Sequence, residues 1–225
     1  MNTKNDSNLE VSIRAGGLET AVILLHGFGA NMHDLAPLAD VLDPQQQKTW
    51  YFPNGILQIP ISPMYDARAW AMLDLQAFDQ ALQQNRFRDY LSSKSAQLLK
   101  PSQIICDFVE SIAAKHQKIY IGGFSQGAIL ALDVALSLKR DWAGVILLST
   151  TFAAEQRWQE FLLKENRVLR IFQSHGVQDA VLPYNEAKAL YENLQSHGHD
   201  IAFQEFAGGH EIPQSVLQEL KVFLT

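Results

Sequence analysis

Between residues 118 and 138 the chain passes from a β-prone run, Lys118-Ile119-Tyr120-Ile121, through Gly123-Phe124-Ser125-Gln126-Gly127 into an apolar helical stretch beginning Ala128-Ile129-Leu130. A strand that turns at once into a helix has few ways to fold. The two backbones converge, so the positions two before and two after the central serine must lack bulk, and both are glycine. Such a turn lifts the serine hydroxyl clear of the sheet. It also aims the helix N-terminus, with its unpaired N–H groups and positive dipole end, at the space the hydroxyl faces.

The rest of the chain repeats the alternation of short β-rich runs with longer helical patterns. Strands are expected at 11–14 (an edge strand), 19–25, 49–52, 118–122, 143–148, 168–173 and 201–206. Helices are expected at 34–42, 74–84, 102–115, 128–138, 185–196 and 214–223. The Val/Ile/Leu runs lack polar alternation, as strands buried on both faces do. This predicts an α/β chain: a mostly parallel twisted sheet with helices on both faces. Residues 56–69 carry Pro60 and Pro63 with weak periodicity and read as a loop. Residues 1–10 read as a polar tail ahead of a single domain over 11–225; 225 residues suffice for one sizeable core.

A serine is a poor nucleophile until a histidine takes its proton, and that histidine needs a carboxylate to fix its tautomer. Of the histidines after Ser125, His197 and His199 sit in the polar turn Ser196-His197-Gly198-His199-Asp200 and read as solvated. His210 follows the strand at 201–206 through Ala207-Gly208-Gly209, at the strand edge where catalytic groups collect in open α/β sheets. Asp179 occupies the equivalent loop after the preceding strand, beside a structural His175. The expected assignment is Ser125 as nucleophile, His210 as base and Asp179 as its orienter. The glycine-rich turn His26-Gly27-Phe28-Gly29 after the strand at 19–25 supplies a second main-chain donor. The Phe28 and Gln126 N–H groups are thus the expected oxyanion hole, with His26 shaping the loop. Trp70, Phe28, Met64, Phe152 and Leu182 are candidates for lining an acyl site, with plain core positions as the equal alternative.

Taken together, these residues resemble the phospholipase/carboxylesterase family of α/β-hydrolases, which includes the acyl-protein thioesterases. Leu25-His26-Gly27-Phe28-Gly29 is similar to the family's L-H-G-x-G loop, and Gly122 to Ala128 to its G-G-F-S-Q-G-[GA] turn. Val181-Leu182-Pro183 resembles its V-x-P, Gly209-His210 its G-H, and Arg68-Ala69-Trp70 the R-x-W of a substrate-covering loop. The resemblance implies an α/β-hydrolase fold. It also implies hydrolysis of carboxylic esters or thioesters, S-acyl cysteine and lysophospholipid included, without a cofactor. Three departures bear on the substrate: Val177 in place of an acid, Ser149-Thr150-Thr151-Phe152 in place of S-G-x-L-P, and the proline pattern of 56–75. An acyltransferase or peptidase on the same three residues, or a non-catalytic ligand-binding homologue, is the alternative.

Composition sets the remaining expectations. A net charge of −6 without a basic cluster argues against a nucleic-acid partner. The apolar runs are too short to span a membrane, and MNTKNDSNLE lacks the apolar stretch of a secretory signal. A single cysteine, Cys106, rules out an internal disulfide and is expected as a buried structural thiol. The cytoplasm is the expected compartment, with no metal site, and an apolar rim around the acyl site would suit a homodimer or a membrane-surface encounter.

Overall fold

The computed structural model describes residues 2–4, 9–62, 65–84, 86–164 and 167–225. Among these residues, eight strands form one sheet. In chain order they are β1 (Asn2–Lys4), β2 (Glu10–Arg14), β3 (Thr20–Leu25), β4 (Thr49–Pro53), β7 (Lys118–Phe124), β8 (Gly144–Leu148), β9 (Arg170–Gly176) and β10 (Asp200–Phe206). The spatial order is β1-β2-β4-β3-β7-β8-β9-β10. From β4 through β10 every neighbour is parallel; only the pairs β1–β2 and β2–β4 are antiparallel. Part of the polar tail therefore extends the sheet, and β2, expected at the edge, lies one strand inside it.

Strand side chains alternate between two cores. On β3, Ala21, Ile23 and Leu25 face the larger core, while Val22 and Leu24 face the smaller one. The smaller core is closed by α1 (Pro37–Leu42) and α8 (Gln214–Phe223), through Ala39, Leu42, Val216, Leu220 and Phe223. The larger is closed by α4 (Leu99–Ala113), α5 (Gln126–Ser137) and α7 (Tyr184–Ser196). Nearly every α5 side chain is buried, which explains its apolar sequence all round. Its one buried charge, Asp133, accepts from Arg157 Nε at 2.8 Å and from Trp158 Nε1 at 3.0 Å. Both partners sit on α6 (Glu155–Lys164), a helix not foreseen because its outward face is charged.

Residues 56–69, expected as a loop, form a hairpin. β5 (Leu57–Ser62) pairs antiparallel with β6 (Tyr65–Ala69) apart from the main sheet. Pro60 falls where the register shifts between Ile59 and Ser62, a position at which a missing N–H costs no ladder bond. Then follow α2 (Leu75–Gln83), the unforeseen α3 (Phe87–Lys94) and a 3-10 turn over Ser95–Leu98. Arg88 ties α3 to α7 through Glu186 at 2.7 Å. The helix expected at 34–42 begins only at Pro37, which suits a first turn.

The Asp133 contact gives a stability test. Arg157→Ala strands the fully buried Asp133 carboxylate with Trp158 Nε1–H as its remaining donor. Unfolding free energy by urea titration is expected to fall by about 3 kcal/mol, whereas Asp133→Ala, which leaves a partly exposed guanidinium within reach of water, costs less.

Candidate active site

Ser125 sits between β7 and α5 with φ 56° and ψ −121°, a left-handed φ that a non-glycine residue adopts only under strain. Its surroundings enforce that conformation. A Cβ on Gly127 would lie 2.0 Å from the Leu25 carbonyl oxygen, and one on Gly123 would lie 2.5 Å from the same atom. The start of α5 is thus pressed against the end of β3. The Ser125 N–H is anchored to the Leu148 carbonyl at 2.9 Å.

Asp179 lies in the turn after β9, and its side chain is fully buried. Its Oδ1 accepts the Val181 and Leu182 N–H groups, both at 2.8 Å, and its Oδ2 stands 2.7 Å from His210 Nδ1. Burial alone would raise the Asp179 pKa. The His210 bond, with the Leu182 and Val181 N–H groups, outweighs it and holds the carboxyl below its usual range. An ionised carboxylate only accepts, so the shared proton stays on His210 Nδ1 and Nε2 is left as a base. The Phe124 ring, next to Ser125 in the chain, packs on the His210 imidazole with centroids 4.7 Å apart. His175, expected as structural, is buried behind them. Its Nε2 bonds the Leu182 carbonyl at 2.9 Å and stands 3.3 Å from Asp179 Oδ2. Burial lowers its pKa against the opposing pull of both groups.

The turn after β3 is built by His26. Its Nδ1–H donates to the Gly27 carbonyl at 2.8 Å, and its Nε2 accepts the Gly55 N–H at 2.8 Å. That pattern requires the neutral ring, and burial pushes its pKa down to about 4 despite the Gly27 bond. The hairpin holds the same turn from the other side: Gly29 N–H donates to the Arg68 carbonyl and Arg68 N–H to the Ala30 carbonyl, each at 2.8 Å. Among the described residues, neither the Phe28 N–H nor the Gln126 N–H donates a hydrogen bond within the chain.

Ser125, His210, Phe28 and Gln126 line one cavity of about 500 Å³. Its wall is mainly apolar, with Phe78 from α2, Leu91 from α3, Leu98 from the 3-10 turn, Ile129 from α5 and Leu182 after Asp179. Of the proposed acyl-site residues, Phe28 and Leu182 lie on this wall. Met64 lies outside the described residues. Trp70 is not on the wall; it is buried behind the β3 turn, where its Nε1–H donates to the His26 carbonyl at 2.9 Å. Phe152 is also off the wall: it stacks on Trp158, and its neighbour Ala153 faces the cavity instead. Nor is His199 solvated. It is half-buried, its Nδ1 accepts the Leu169 N–H at 3.2 Å, and burial pushes its pKa down to about 4. Cys106 is buried as expected, with its thiol pKa raised by that burial.

Residues 7–225 match the family model described as Phospholipase/Carboxylesterase. The chain belongs to the phospholipase/carboxylesterase family. It is a carboxylic ester hydrolase with the α/β-hydrolase fold. Among curated relatives, an acyl-protein thioesterase 1 of Eremothecium gossypii is 28% identical over 230 residues, covering 96% of this chain and 91% of its own. Another, from Neurospora crassa, is 28% identical over 213 residues, covering 91% of this chain and 85% of its own. Among solved structures, esterase PE8 superposes with a TM-score of 0.81 at 23% identity, over 96% of this chain and 97% of that one. No helix among the described residues is long and apolar enough to cross a membrane.

The neutral His26 makes the turn after β3 acid-sensitive. Its folded pKa, about 4, lies below the ordinary 6.5. As pH falls from 6.5 toward 4, the unfolded chain therefore binds a proton that the folded chain refuses. Stability drops across that window, by about 3 kcal/mol for this residue. Asp179, with its depressed pKa, keeps its contribution there and loses it only below the usual carboxylate range. Urea midpoints at pH 7 and pH 4.5 are expected to converge in His26→Asn, with the residual difference left by His175 and His199.

Proposed function

We propose that the chain hydrolyses long-chain acyl esters and thioesters through an acyl-enzyme on Ser125, with His210 as general base and Asp179 as its orienter. The observation that carries this reading is the 2.7 Å bond from His210 Nδ1 to a buried, multiply bonded carboxylate, beside a strained serine in one apolar cavity. His210 Nε2 takes the Ser125 proton as Oγ attacks the acyl carbonyl. The oxyanion is received by the Phe28 and Gln126 N–H groups, which have no other partner among the described residues. His210 then protonates the leaving alcohol or thiol, and afterwards activates the water that releases the acid. No step calls for a cofactor.

The size and wall of the cavity support an extended acyl group as the substrate moiety. Its volume, about 500 Å³, falls in the range of small-molecule sites, and its wall offers far more carbon than hydrogen-bonding atoms. A relative named acyl-protein thioesterase supports a protein S-acyl thioester as one substrate; a lysophospholipid or simple ester presents the same carbonyl. Tyr65, Met72, Leu75 and Val181 are exposed around the cavity, the apolar rim on which a homodimer or a membrane encounter would form. A single buried cysteine suits a cytoplasmic setting.

Two measurements test this. Ser125→Ala or His210→Ala is expected to lower kcat on p-nitrophenyl esters by roughly 10⁴-fold or more, and Asp179→Ala by less. An active Ser125→Ala enzyme would falsify the assignment. Across a p-nitrophenyl series from acetate to palmitate, kcat/KM is expected to rise by up to about fourfold per methylene until the cavity is full. A palmitoyl-thioester peptide, run alongside, reports the thiol leaving group. Negligible rates on every ester and thioester would favour the transferase or peptidase alternative.

A further inference from the structure

Gln126 follows the serine and is buried at the first turn of α5. A buried primary amide is costly unless bonded, and this one is bonded by a segment 55 residues distant. Its Oε1 accepts the Trp70 N–H at 2.9 Å, with the Ala71 N–H at 3.5 Å, and its Nε2 donates to the Ala71 carbonyl at 2.8 Å. The segment it grips begins where β6 ends and continues as Ala71, Met72 and Leu73, which line the cavity. From Trp70 the contacts lead on to the oxyanion turn. Trp70 Nε1–H donates to the His26 carbonyl at 2.9 Å, and the two rings lie 5.3 Å apart. His26 in turn fixes Gly27 and Gly55. One residue therefore carries one oxyanion donor on its main chain and reaches the other through its side chain.

We propose that the Gln126 side chain is a positioning residue: by gripping the Trp70–Ala71 backbone it holds the Phe28-bearing turn at the distance at which both N–H groups meet one acyl oxygen. This rests on the Ser125 reading above and adds a role for the Gln126 amide, which acts through the backbone it holds while the main-chain N–H of the same residue meets the oxyanion. A side chain that merely filled space would be replaceable by methionine. A positioning amide would not, because the transition state feels small errors in donor placement that the ground state tolerates.

The experiment uses the full chain and p-nitrophenyl octanoate. In Gln126→Met, kcat is expected to fall roughly 10- to 100-fold with KM within about threefold. The Ki of an octyl trifluoromethyl ketone, whose adduct needs the oxyanion donors, should rise in step with the loss in kcat. In Gln126→Glu, the protonated acid both accepts from Trp70 N–H and donates to the Ala71 carbonyl, whereas the carboxylate only accepts and faces that carbonyl. The ratio of variant to wild-type kcat should therefore climb at least about fivefold between pH 8.5 and pH 6. His26 stays neutral over this range. A Gln126→Met enzyme within about threefold of wild type in kcat, or a pH-independent ratio for Gln126→Glu, overturns the inference. Should Gln126→Met fail to fold, the Gln126→Glu ratio decides alone. Either overturning result beside an inert Ser125→Ala removes only this inference; activity in Ser125→Ala removes the reading beneath it.

Discussion

Gly127 packs so closely on the end of β3 that no side chain fits between them, and the geometry of the site follows from that contact. The first turn of α5 and the turn after β3 are brought together by it, so that Phe28 and Gln126 come to line the same cavity. The same closeness leaves the chain no relaxed path through Ser125, and the left-handed φ is its consequence. Strain here is held in place by buried packing on both sides: α5 is apolar around its whole circumference, and β7 lies between β3 and β8.

Around that fixed point the polar groups are arranged so that each constrains the next. Asp179 is kept ionised inside the protein by three hydrogen-bond donors, and an ionised Asp179 in turn decides which nitrogen of His210 carries its proton. His26 is kept neutral by burial, and only a neutral ring can accept from Gly55 while donating to Gly27. The two imidazoles thus have opposite tasks. One has its proton fixed at Nδ1 so that Nε2 is available for chemistry, while the other has both nitrogens committed to backbone.

The sheet and the gathering of Ser125, Asp179 and His210 at one edge of it were legible because their signals are local. Val/Ile/Leu runs without polar alternation mark strands covered on both faces, and Ser125, Asp179 and His210 each follow a β-rich run at the same end of the parallel strands. α8 was legible to the residue, since its apolar stripe repeats with helical spacing. The hairpin was not, because Pro60 reads as a breaker until the register shift beside it is seen. α3 and α6 were missed because their exposed faces are charged and their buried contacts are few. Residue type left Trp70 and Phe152 open between acyl contact and plain core, and the core reading is the one the fold bears out. Their ring partners, the His26 carbonyl and Trp158, are long-range and leave no trace in spacing. The side chain of Gln126 is the same kind of case: the sequence motif marks it, but only the fold shows what its amide holds.

The proposed mechanism passes through a covalent acyl intermediate on Ser125. Rapid acid quench of the enzyme turning over p-nitrophenyl octanoate, followed by intact-mass and peptide mapping, would trap it. The expected result is a mass increase of one octanoyl group, located on Ser125 and absent from Ser125→Ala. An adduct on another residue, or turnover with no adduct at any quench time while hydrolysis proceeds, would contradict it.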